Sequence, residues 1–82
     1  MEIANDIMDF ISKASKIPRN EIDMDTEVYN SGIISSLSIM ELMSYIEEQY
    51  GIIINPEDLI ESNFKNIKIL ADFVQTKLDI SN

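Results

Sequence analysis

Four serines, Ser31, Ser35, Ser36 and Ser38, crowd the stretch Asn30-Ser31-Gly32-Ile33-Ile34-Ser35-Ser36-Leu37-Ser38. A serine attacks a carbonyl only when a neighbouring base takes its proton. This chain has no His and no Cys, so Ser–His and Cys–His catalysis are excluded within it. Two readings of these serines remain. Ser35 or Ser36 caps the apolar-periodic run that follows, and Ser38 with Glu41 forms a capping box in another register. Alternatively, one of them receives a group from another enzyme. A phosphodiester at a helix N-terminus faces free backbone N–H groups and the positive end of the dipole. The second candidate, Asp23-Met24-Asp25-Thr26-Glu27, alternates acids as a calcium loop does. Such a loop needs Gly at its sixth position and Glu at its twelfth, where this chain has Val28 and Ile34.

Charge narrows the partners. Fifteen acidic and six basic residues give a net charge of -9, and no Lys or Arg falls between Arg19 and Lys65. Ten acids lie in that gap, from Glu21 to Glu61. Nucleic acid is therefore not the expected ligand, because phosphate binding needs a basic face. An acidic surface either confers solubility or steers basic partners. Opposite the core stripe of the second apolar run, Leu37, Met40, Glu41, Ser44, Glu47 and Glu48 recur at i, i+3, i+4 spacing. Apolar side chains within an acidic rim suit a transient docking site.

These residues need elements to position them. With 82 residues and 45% hydrophobic composition, the chain is expected to build one core and one domain, residues 1–82. Three stretches carry helical spacing. Ile3, Ile7, Phe10, Ile11 and Ala14 predict a helix over 3–16, ending before Pro18. Ile39, Leu42, Met43, Ile46 and Tyr50 predict a second, from Ser35 or Ser36 to Gly51. Ile67, Leu70, Ala71, Val74 and Leu78 predict a third, with Asn66 as N-cap. Residues 17–34 are pinned through Ile17, Ile22, Val28, Tyr29, Ile33 and Ile34, and Asn55-Pro56-Glu57-Asp58 starts a short turn through Leu59 and Ile60. Ile52-Ile53-Ile54 reads as an extended linker buried against the helices. The sum is an all-α bundle. The acidic N-terminus and the lack of any long apolar run predict a protein outside the membrane, in the cytoplasm.

The chain resembles the acyl or peptidyl carrier proteins over residues 3–78. That family is marked by an Asp-Ser-Leu or Asp-Ser-Phe triplet at the start of helix two, matched here by Ser35-Ser36-Leu37. Glu41-Leu42, Ile46-Glu47-Glu48 and Tyr50-Gly51 resemble the rest of its second helix. Ile54-Asn55-Pro56-Glu57-Asp58-Leu59 resembles its approach to helix three, and Asn63-Phe64 its approach to helix four. The resemblance implies a four-helix bundle with a long first loop and a short third helix. It implies that Ser36 carries 4'-phosphopantetheine, transferred from coenzyme A, and that Leu37, Met40, Glu41, Glu47 and Glu48 dock partners. Those partners would be a phosphopantetheinyl transferase, an acyl- or aminoacyl-loading enzyme, and downstream synthases or transferases. The implied protein is a monomeric, non-catalytic carrier of thioesters in fatty acid, polyketide, nonribosomal peptide or D-alanyl transfer chemistry.

Two details of the match are particular to this chain. Ser35 stands where the family has Asp, a change neutral for capping but costly to transferase recognition if the carboxylate is read. The Gly32-Ile33-Ile34-Ser35 spacing looks more like free-standing carriers of aminoacyl, D-alanyl or specialised polyketide units. The rival expectation is an unmodified acidic helical adaptor that binds a basic protein.

Overall fold

Helix α1 is Glu2–Ser15, and it buries Ile3, Ala4, Ile7, Met8 and Ile11. The computed structural model describes residues 2–28 and 36–81, with the side chains of Ser36 and Ser81 outside that description. Ala4 and Met8 join the stripe, while Ala14 is exposed and Phe10 half-buried. The stripe is displaced because α1 packs on two neighbours at once. Lys16 ends the helix in the left-handed region, φ 65°, and its N–H donates to Ser12 O at 2.9 Å.

Helix α2 is Ser36–Tyr50. Leu42, Met43 and Ile46 are buried, whereas Ile39 and Tyr50 are half-buried. Gly51 closes the helix at φ 67°, its N–H donating to Glu47 O at 2.9 Å. That backbone conformation suits glycine, which has no Cβ to clash. Helix α3 is the short Glu61–Phe64 and α4 is Ile67–Ser81. Helix α1 packs on α4 and α2, and α3 packs on α4. Ile7, Ile11, Leu42, Ile46, Phe64, Ile67, Leu70 and Val74 form the fully buried centre. The all-α fold expected from the spacing is the one observed. Among the described residues, no helix is long and apolar enough to cross a membrane.

The connections depart from expectation in two places. In the 52–54 segment, Ile52 is buried and Ile54 half-buried, but Ile53 is 73% exposed. Extended backbone alternates its side chains, so three consecutive isoleucines cannot all face one core. After Asn55, the turn is a 3-10 turn over Pro56–Asp58, and Leu59 and Ile60 lie outside any helix before α3 begins. Asp58 fixes this break. Its carboxylate accepts the Asn55 N–H at 3.0 Å, its carbonyl accepts from Asn63 Nδ2 at 2.8 Å, and Lys77 of α4 pairs with it at 2.7 Å.

The first loop is held as expected by Ile22 and Val28, both buried, and by half-buried Ile17. Tyr29, Ile33 and Ile34 lie outside the described residues. Backbone also anchors it: Ile67 and Lys68 donate their N–H groups to Thr26 O and Met24 O at 3.1 and 3.0 Å. Ile69 N–H goes to Asn66 Oδ1 at 2.8 Å, so Asn66 caps α4 as its type predicted. Loop and cap together satisfy the N–H groups that a helix start leaves over. Asp23 is turned inward on its own loop, its carboxylate accepting from Asp25 N–H and from the Thr26 hydroxyl.

The Asp58–Lys77 contact sets an acid dependence. The Lys77 hydrogen bond, then the Asn55 N–H, hold the Asp58 carboxyl below its ordinary value of 3.8. A carboxyl lowered in the folded state stabilises above its unfolded pKa and loses that contribution as pH falls through the folded one. Lys77→Met should therefore cost about 1 kcal/mol near neutrality. The gap from wild type should close below about pH 4. Urea unfolding of both proteins from neutral pH to about pH 3 checks this, and a gap unchanged with pH would refute it.

Candidate functional site

Ser36 is the first residue of α2, a helix of 15 residues with no acid in its first turn. The first turn therefore places no like charge beside an anion attached at this end, where the helix dipole favours it. Ser35 and the Gly32-Ile33-Ile34 segment lie outside the described residues. Directly after Ser36 the surface turns apolar. Leu37 is 69% exposed and Met40 is 64% exposed, well beyond what a core-facing residue shows. Glu41, Ser44 and Glu48 are exposed as well.

Glu47 stands apart from this face. It is half-buried, and its carboxylate accepts the Ile54 N–H at 2.8 Å. The residue ties the linker after α2 back onto the helix. It therefore contributes charge to the surface while doing a structural job that its spacing did not reveal.

The neighbouring side of α2 meets α1. Phe10 and Tyr45 stack with ring centroids 5.4 Å apart and planes inclined by 28°. With Met40, Glu41, Ser44 and Glu48 they line an open groove of about 350 Å³. Farther along, Asp6, Asp9 and Lys13 join the two rings around a smaller recess. The Tyr50 hydroxyl donates to Asp6, joining the end of α2 to α1. Burial, then this hydrogen bond and the Asp6 charge, raise the Tyr50 phenol well above its ordinary value, so it stays a donor. Burial first, then Asp6 and Asp9, raise Tyr45 as well. Helical spacing puts Phe10 on the apolar stripe of α1 and gives Tyr45 no place on that of α2. A pair of aromatics, one on each of two packed amphipathic helices, is the signal that could have found them.

The acidic gap makes a stability prediction. Like charges repel through solvent and are screened by salt. Raising NaCl from about 0.02 M to about 0.3 M, or adding millimolar Mg²⁺, should raise Tm by a few degrees. Calorimetry across the titration checks it. A flat Tm would mean that the acids are already fully solvated.

Ser36 thus opens the helix that carries an exposed apolar pair, Leu37 and Met40, and the exposed Glu41 and Glu48. A family model described as a phosphopantetheine attachment site matches residues 5–74, most of the chain. No curated protein matches it.

Proposed function

Because this chain belongs to the phosphopantetheine attachment-site family, and is a carrier with covalent 4'-phosphopantetheine, we propose that Ser36 is the attachment residue. The observation that carries this is Ser36 at the first position of α2, beside exposed Leu37 and Met40. The residues fit the group: the helix start offers N–H groups to a phosphodiester, and no acid lies in the first turn. Attachment replaces the Ser36 O–H bond with an O–P bond. The proton leaves, and coenzyme A gives up its adenosine bisphosphate half. When bound, the arm supplies a thiol, which the polypeptide lacks, to hold an acyl group as a thioester. Ser36 anchors, the helix start orients, and Leu37, Met40, Glu41 and Glu48 meet partners.

The docking role rests on exposure and charge. Brief contacts with a transferase, a loading enzyme and downstream synthases need fast association and fast release. Screened charges around a small apolar patch serve that need, because they speed encounter more than they prolong residence. Glu47 supports this face from its edge. The Gly32-Ile33-Ile34-Ser35 spacing supports an aminoacyl, D-alanyl or polyketide-extender cargo rather than fatty acid synthesis. We read residues 1–82 as one carrier domain that acts as a cytoplasmic monomer and catalyses nothing itself.

Intact mass after incubation with coenzyme A and a broad-specificity transferase tests the reading. One phosphopantetheinyl increment, mapped to Ser36 by fragmentation, is expected. If neither a broad-specificity nor a dedicated transferase adds the increment, the attachment assignment fails. The chain would then act as an unmodified acidic adaptor.

A further inference from the structure

Sulfur chemistry in this polypeptide belongs to methionine alone, since the chain has five Met and no Cys. The fold sorts the methionines of the described residues into unlike surroundings. Met8 and Met43 are buried, each 6% exposed, and Met24 is half-buried in the first loop against the same core. Met40 is 64% exposed on α2. The buried pair fills space and is shielded from solvent. Met40 fills no core space, and a leucine there would offer a partner the same kind of apolar contact. What the thioether adds is a polarizable lone pair open to an electrophilic oxidant.

Its place in the fold gives that chemistry a consequence. Met40 lies about one helical turn after Ser36, with exposed Leu37 between them. It also lines the groove between α1 and α2 together with Phe10 and Tyr45. Glu41, Ser44 and Glu48 are exposed around it and already polar. The exposed apolar part of the docking face is thus Leu37 and Met40, and one of the two is oxidisable. A polar oxygen on either member changes the character of so small a patch.

We propose that the Met40 thioether is a reversible oxidation site through which a peroxide lowers the chain's affinity for the transferase that modifies it. A sulfur lone pair attacks one oxygen of hydrogen peroxide, so that an S–O bond forms as the O–O bond breaks. The departing hydroxide takes up the proton of the attacked oxygen and leaves as water. Sulfur loses two electrons and the peroxide gains them. The resulting sulfoxide is polar and chiral, and epimer-specific reductases return it to the thioether. The loss of affinity rests on the docking role given to α2 above. The oxidation site itself rests on the exposure and chemistry of the side chain.

The test treats the full chain, before any coenzyme A is added, with dilute hydrogen peroxide that catalase then removes. Peptide mass mapping over time should find sulfoxide at Met40 about tenfold sooner than at Met8 or Met43. Oxidation should raise the transferase's KM for the chain about fivefold or more, change kcat less, and be reversed by the two methionine sulfoxide reductases. Met40→Gln, polar from the start, should show the raised KM without peroxide. Met40→Leu should set its own KM, and peroxide should not move it. Circular dichroism controls for helical content throughout. Met8 or Met43 oxidised as fast as Met40, a KM indifferent to the sulfoxide, or a peroxide response that persists in Met40→Leu would overturn the proposal. An untreated chain that no transferase modifies defeats the attachment assignment and the affinity effect with it, while the mapping still decides the oxidation site.

Discussion

Ser36→Ala should abolish the mass increment from coenzyme A, because it removes the oxygen proposed to form the O–P bond. The fold should survive. Alanine keeps helix propensity, and any capping lost at this position costs about 1 kcal/mol or less. Ser35→Ala should retain the increment at equal or lower rate. Ser35→Asp should retain or raise it, since serine and aspartate cap comparably and the acid restores the residue usual in the family. Intact mass, with circular dichroism as the fold control, reads all three. Modification of Ser36→Ala together with its loss in Ser35→Ala would move the attachment point by one residue.

Reversing Glu41 and Glu48 together to Lys should lower the wild-type rate of modification by about tenfold or more at low salt. Helical content should stay unchanged, since both side chains are exposed and neither pairs with a base among the described residues. The wild-type rate should itself fall with salt, and the double variant's rate should not. Stopped-flow or discontinuous mass assays at several ionic strengths measure both. Glu47→Lys belongs in a separate experiment. Its carboxylate accepts the Ile54 N–H, so that variant also loses about 1 kcal/mol of stability through the linker. A salt-independent wild-type rate with an active double variant would remove electrostatic steering from the account.

Much was legible from local chemistry. The apolar repeats placed the three long helices, because each needs a stripe to bury and a 3.6-residue period brings that stripe to one side. Gly51 and Asn66 marked boundaries for reasons internal to a few residues: a left-handed backbone in one case, a short acceptor side chain in the other. The exposure of Leu37 and Met40 was readable for a similar reason, since both face away from the helix's own apolar stripe.

What spacing could not give was the set of choices made between elements. Ala4 and Met8 are buried and Ala14 is not because α1 must satisfy α4 and α2 together. Glu47 became a linker anchor only when Ile54 folded back to it. Asp58 acquired Lys77, 19 positions away, and with it stopped the turn short of Leu59. The Phe10–Tyr45 pair exists only where two helices meet. Periodicity encodes which face of a segment is apolar, a local property of the chain. Which residue of another segment it meets depends on crossing geometry and loop closure, and those are fixed by the whole bundle at once.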